Sequence, residues 1–324
     1  MYRIKKAAAL FAVLGLIAAA MISGCEPGNS GRAPGDGGAV QATEPPPPSE
    51  PLDYNIPAIP VATAPGLLVE ENNKAAIDFS NKTDGYVMVK FHGKSNREIR
   101  ALITSPDETE YTFRLTPGGD FEVFPLSGGD GEYTIRVFEQ VDGTKYALVV
   151  MTTIDVALSD EFAPFLRPNQ YVNFSRESEV VRKAAQLTSD ADGLMDTIGA
   201  IFNFVISNID YDYDLAATVQ SGYLPDLDHV LARGMGICFD YAAVMTAMLR
   251  SQGIPTMLVI GFADEAYHAW ISVYSEETGW IDELIFFDGF NWRFLDPTFS
   301  ATGDATDVAE YIGSGAHYHA KLLY

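Results

Sequence analysis

The sequence predicts two folded domains, an all-β sandwich of immunoglobulin-like type followed by an α+β domain. Between residues 66 and 160, short runs of alternating apolar and polar residues are separated by Gly-rich turns, as in half-buried strands. After Pro164 the apolar residues recur at helical spacing, and strand patterns return from Thr256 onward. Helices followed by strands are typical of an α+β domain, which we assign to residues 165–324.

The first 25 residues have the pattern of an export signal. Arg3, Lys5 and Lys6 precede an apolar run over residues 7–22, which is short for a spanning helix. The run ends in Ile22-Ser-Gly-Cys25, which resembles the lipobox of bacterial lipoproteins. That resemblance implies that residues 1–24 are removed and that an acylated Cys25 anchors the protein on the extracytoplasmic face of the cell membrane. An uncleaved anchor or an ordinary signal peptide is the alternative.

Residues 25–65 are predicted to be a linker. Ten of the eighteen prolines lie between residues 26 and 65, and apolar periodicity is almost absent there. Polyproline II rises by ~3.1 Å per residue, so the segment reaches on the order of 100 Å when extended. Such a linker would lift the domains off a membrane, although a Pro-rich ligand for a partner is a second interpretation.

Individual elements follow from the same patterns. In the first domain, strands are predicted at residues 85–91, 111–115, 121–124, 133–138 and 146–153. In the second domain, helices are predicted at residues 177–188 and 194–206, with Ile198, Ile201, Val205 and Ile206 on one buried face. Later strands are predicted at residues 256–262, 267–274 and 291–295.

Charge and cysteine content exclude several functions. The chain has 44 acidic and 21 basic residues, a formal net charge of −23, so no basic field attracts nucleic acid. Its two cysteines can form neither a disulfide framework nor a zinc site of paired CxxC motifs. With Cys25 lipidated, Cys238 would be a lone thiol in an exported protein.

Cys238 is predicted to lie at or just before the start of a helix. Gly234 and Gly236 permit a tight turn, residues 241–249 have helical periodicity, and Gly253 and Pro255 end the helix. The helix dipole would stabilise a thiolate there. A small buried hydrophobic residue is the alternative.

Two downstream segments offer partners for this thiol. His268 lies in an apolar strand, where an imidazole needs hydrogen-bonding partners. Asp296 ends what we take to be the next strand, and a carboxylate there could orient the imidazole. Asp282 and Asp288 could compete for that role, but neither lies in an Asp-Pro-Thr context.

The chain resembles the transglutaminase-like superfamily in three motifs that occur in the same order. They are Gly236-Ile-Cys-Phe-Asp-Tyr-Ala242, Tyr267-His-Ala-Trp270 and Asp296-Pro-Thr298. The resemblance covers roughly residues 175–300. It implies a papain-related fold in which Cys238 is the nucleophile, His268 the general base and acid, and Asp296 the orienting carboxylate. It calls for no metal and no cofactor. The backbone N–H of Cys238 is a natural oxyanion donor, and Trp270 and Tyr213 are candidates for a second donor or a substrate contact.

We therefore expect a membrane-anchored, monomeric thiol enzyme that acts on amide bonds of extracellular protein or peptidoglycan peptide through a thioester. Whether an amine or water accepts the acyl group stays open. The alternative is a non-enzymatic adhesion or scaffold lipoprotein with a vestigial triad.

Overall fold

The fold was analysed in a computed structural model of the chain. The structure describes residues 54–263, 266–287, 292–294 and 318–324, and residues 52–324 form one compact unit. Its elements are, in chain order, β1 Val69–Glu71, β2 Ala75–Asp78, β3 Tyr86–Phe91, β4 Ile99–Thr104, β5 Glu110–Leu115, β6 Glu122–Pro125, β7 Gly131–Asp142, β8 Lys145–Val156, α1 Glu179–Leu187, α2 Leu194–Asn208, β9 Asp210–Tyr211, α3 Tyr213–Thr218, α4 Leu227–Arg233, β10 Met235–Gly236, α5 Cys238–Ser251, β11 Thr256–Ala263, β12 Ala266–Ser275, β13 Gly279–Phe287, β14 Trp292–Phe294 and β15 Tyr318–Leu323.

The N-terminal part consists of two four-stranded antiparallel sheets. Their strand orders are β1-β2-β3-β6 and β5-β4-β7-β8, and the five predicted runs fall in β3 and β5 to β8. Burial alternates along β4 and β5, so every second side chain enters the core. Phe113 of one sheet and Phe124 of the other pack with ring centroids 4.6 Å apart. The immunoglobulin-like type of this part stays a prediction.

The C-terminal part packs helices against an antiparallel sheet with the strand order β14-β13-β12-β11-β15. Helix α5 is the centre of this part: twelve of its fourteen residues are buried, and it packs against α1, α2, β11 and β12. The two predicted amphipathic helices correspond to α1 and α2. Ile206 was expected on the buried face of α2 but is 38% exposed, because it lies about 80° around the helix from Ile198, at the rim of the apolar stripe.

The sheet differs from the predicted one at β13. The sequence places residues 291–295 directly beside the strand that carries His268, whereas β13 lies between β12 and β14. The register between β12 and β13 shifts between Ile271 and Val273. These two residues are two positions apart on β12, but their partners on β13, Ile285 and Ile281, are four positions apart. An irregular register of this kind breaks the two-residue alternation of apolar and polar residues by which strands are predicted. The sequence pattern therefore does not predict β13.

Both parts share one hydrophobic core. Tyr324 packs edge-on against Tyr111 and Phe113 of β5, at ring-centroid distances of 5.6 and 5.7 Å, and against Tyr171 at 4.5 Å. The predicted boundary near residue 165 therefore separates two arrangements of secondary structure but not two cores.

Contacts with the folded unit begin inside the segment predicted as linker. The side chain of Arg176 donates to the carbonyl oxygen of Ile56 at 2.9 Å, and the N–H of Thr63 donates to the hydroxyl of Tyr86 at 3.1 Å. Residues 54–65 thus lie against both parts of the unit. Among the residues that the structure describes, no helix is both long and apolar enough to span a membrane.

Candidate active site

Cys238 is the first residue of α5, as the capping pattern predicts. The buried carboxylate of Asp240 holds the turn before it: one oxygen accepts the N–H of Ile237 at 2.8 Å, and the other accepts the hydroxyl of Tyr223 at 2.7 Å. A Cβ at Gly236 would lie 2.7 Å from the Cβ of Asp240, so this close approach requires glycine. The thiol is therefore positioned by a fixed helix start rather than by a loose loop.

A short parallel ladder brings Tyr211 to Cys238. Strand β9 pairs with β10, placing Tyr211 beside Gly236, and the N–H of Asp212 donates to the carbonyl of Gly236 at 2.9 Å. Burial and the nearby Cys238 thiol raise the pKa of Tyr211, the backbone N–H of Cys238 acts in the opposite direction, and both residues line the same cavity. Sequence reasoning missed Tyr211, because its neighbour across the ladder lies 25 residues further along the chain.

Strand β12 brings His268 to the same place. His268 lies opposite Gly261 of β11, and the N–H of the following residue, Ala269, acts to lower the pKa of the Cys238 thiol, so this strand lies beside the sulfur. Cys238 and His268 line one cavity of about 730 Å³. The structure thus brings together two of the three predicted catalytic residues.

The other predicted site residues do not line this cavity or cannot be placed. Trp270 is only 3% exposed, and it is absent from the cavity lining among the described residues. Tyr213 is 73% exposed and packs edge-on against Tyr211, with ring centroids 4.9 Å apart. The ladder puts Tyr211, not Tyr213, against the nucleophile. Asp296, its competitor Asp288 and the lipidation candidate Cys25 lie outside the described residues.

Burial sets the protonation states of the pair. It raises the pKa of the Cys238 thiol, and Asp240 adds to this, although the N–H groups of Ala269 and Phe239 act in the opposite direction. Burial lowers the pKa of His268 to about 4. The N–H groups at the helix start thus act in the predicted direction, but desolvation of the thiol outweighs them. The resting pair is a neutral thiol and a neutral imidazole that can accept its proton.

The N-terminal sheet forms another wall of the cavity. Outward-facing side chains of β4 and β5, including Arg100, Thr112 and Arg114, line it together with the segment 219–223. Sequence analysis found no chemistry in this part of the chain. Only the packing of the two parts shows that the sheet reaches the site.

Comparisons with known proteins agree with the position of this site. Residues 181–282 match the model of the transglutaminase-like superfamily. The matched segment contains Cys238 and His268 and ends before Asp296. Among curated proteins, the chain is similar to the uncharacterized protein YebA of Bacillus subtilis strain 168, with 25% identity over 190 residues. That alignment covers 51% of this chain but 25% of YebA, so the chain spans about a quarter of that relative.

Solved structures with distant similarity include a provisionally assigned cysteine protease from Cytophaga hutchinsonii and red sea bream transglutaminase. The first has 14% identity and a TM-score of 0.33, covering 79% of this chain and 86% of the other. The second has 14% identity and a TM-score of 0.26, covering 66% of this chain and 48% of the other.

Proposed function

We propose that the chain, through its transglutaminase-like domain, is a thiol enzyme that attacks amide bonds of extracellular protein or cell-wall peptide and forms a thioester on Cys238. The observation that carries this proposal is the joint position of Cys238 and His268 in one cavity, with the thiol at the start of a buried helix. The match over residues 181–282 supports the same reaction class.

The proposed first step is nucleophilic attack. The neutral imidazole of His268 takes the proton of the Cys238 thiol while the sulfur bonds to the carbonyl carbon. When the tetrahedral intermediate collapses, the C–N bond breaks and His268 returns that proton to the departing amine. Water or an amine then attacks the thioester, which gives hydrolysis or transamidation. We assign Asp296 to orient His268, on the resemblance of its Asp-Pro-Thr context.

The oxyanion of that intermediate would form beside the N–H of Cys238. Tyr211 is our candidate for the second donor, because it lines the cavity together with Cys238, and the N–H of Cys238 already acts on the pKa of its hydroxyl. Replacing Tyr211 by Phe should slow acylation about 100-fold, as the loss of one oxyanion donor does in other enzymes. The exposed Tyr213 offers a matched control, and Tyr213→Phe should retain full activity.

We also propose that Cys25 is lipidated and anchors a monomer on the extracytoplasmic face of the membrane. The basic start, the apolar run and Ile22-Ser-Gly-Cys25 support this. Metabolic labelling with a fatty-acid probe should mark the wild type but not the Cys25→Ser variant, and equal labelling of both would contradict the assignment.

The decisive experiment compares the wild type with Cys238→Ala on peptides and peptidoglycan, with and without a labelled amine. An intact-mass shift on Cys238 that hydroxylamine removes would identify the thioester. Amine incorporation would then select transamidation, and cleavage alone would select hydrolysis. If the wild type alters no substrate and forms no adduct, the scaffold interpretation replaces the enzymatic one.

A further inference from the structure

The wall of the cavity that the N-terminal sheet forms carries two arginines, Arg100 and Arg114, that share a single carboxylate partner. Arg100 of β4 and Arg114 of β5 lie directly opposite each other in the ladder. Like charges at opposed positions destabilise a sheet unless an anion lies near both. Glu98 supplies one: its carboxylate accepts Nε of Arg100 at 2.5 Å and an NH2 group of Arg114 at 3.2 Å.

One carboxylate cannot use the donors of two guanidinium groups. Each guanidinium has five N–H donors, and within the part of the chain that the structure describes each donates a single side-chain hydrogen bond, to Glu98. The side chains of Arg100 and Arg114 are 37% and 45% exposed, and both line the cavity. The cluster of Arg100, Glu98 and Arg114 keeps a net charge of +1.

The rest of the lining does not cancel this charge. Glu110 is the other carboxylate among the described lining residues, and it is paired with Arg136 at 3.2 Å. The chain as a whole carries a formal charge of −23. A cationic spot inside the cavity of an acidic protein therefore selects an anionic group that the remaining surface repels.

Packing fixes the position of Arg114. A Cβ at Gly222 would lie 2.5 Å from both Cδ and Nε of Arg114, so the segment 219–223 lies directly on the arginine stem. Gly222 has φ +87°, a conformation that favours glycine. The guanidinium is held between the sheet and this segment, and a preorganised donor loses little entropy on binding.

We propose that Arg100 and Arg114 bind a carboxylate of the acyl substrate, so that the preferred substrate is a peptide with an acidic group near the attacked amide. The inference rests on the proposed function for the identity of the substrate, but the anion site itself can be tested by binding alone. It also assigns a role to the N-terminal sheet, as the wall that determines specificity.

The test measures binding of peptide pairs to the full-length Cys238→Ala protein by calorimetry. The probes are N-acetyl-Gln-(Ala)n-Asp-amide peptides, with n from one to three, and their Asn counterparts, which differ only in one charge. At the best spacing the Asp peptide should bind about tenfold more tightly, as expected for charge-assisted hydrogen bonds. The Arg100→Gln/Arg114→Gln variant should bind both peptides equally.

Two further variants separate recognition from folding and from overall charge. Glu98→Gln removes the competing carboxylate and should increase the preference for the Asp peptide. Arg182→Gln removes an exposed arginine of α1 that pairs with Glu179 outside the cavity, and should leave the preference unchanged.

Three results would each overturn the inference. The Cys238→Ala protein could bind both peptides equally, the double arginine variant could keep the preference for the Asp peptide, or no peptide could bind. A preserved preference in a protein whose Cys238 forms no thioester would instead refute the proposed function and leave the anion site standing.

Discussion

Acidification to pH 5 should leave the acylation of Cys238 almost unchanged, because burial keeps the imidazole of His268 neutral. With a pKa of about 4, about 90% of His268 is neutral at pH 5, whereas an ordinary histidine with a pKa near 6.5 would be only about 3% neutral. Activity that needs a neutral base is lost as the pH falls through the folded pKa. The two cases therefore differ about 25-fold in the activity retained between pH 7 and pH 5.

The assay is kcat/KM for acylation by a small neutral ester between pH 3.5 and 8, because this ratio reports ionisations of the free enzyme. Circular dichroism at each pH confirms that the chain stays folded. His268→Gln should lose the reaction over the whole range. The exposed His229, replaced by Gln, is the matched control and should reproduce the wild-type profile. Half-loss of activity near pH 6.5 in the wild type would refute the reasoning.

Three other predictions concern the thiol, its support and the core. In a Cys25→Ser background, iodoacetamide should alkylate Cys238 more slowly than a free peptide thiol at pH 8, since burial raises the thiol pKa; faster alkylation would contradict this. Tyr223→Phe removes a hydrogen bond to the buried Asp240 and should lower the free energy of unfolding by about 1.5–3 kcal/mol in urea titrations, whereas no change would show that the bond contributes nothing. Arg250→Met deletes side-chain hydrogen bonds to the backbone oxygens of Thr256, Arg167 and Tyr324, at 2.9, 2.8 and 2.6 Å. Because these buried oxygens lose their donors, we expect the free energy of unfolding to fall by at least about 3 kcal/mol, and a loss below about 1 kcal/mol would contradict the assigned role.

Local sequence patterns predicted the helices and the position of the thiol, whereas the other parts of the site depend on contacts between residues that are distant in sequence. Helix α5 could be predicted because its periodicity, glycines and proline all lie within one short segment. Tyr211 and the arginine pair could not, since strand pairing and the contact between the two parts join residues that are distant in sequence. The thiol pKa shows the same division: the helix dipole is a local effect, whereas the burial that outweighs it comes from the surrounding fold.

The enclosure of the site depends on strand β15, which is distant in sequence from both Cys238 and His268. It pairs with β11, the neighbour of the strand that carries His268, and Leu322 and Tyr324 form part of the cavity wall. These residues lie about fifty positions after His268 in the sequence, so the enclosure around Cys238 depends on a long-range contact. The wall around the thiol and the imidazole is therefore complete only when this distant segment has joined the sheet.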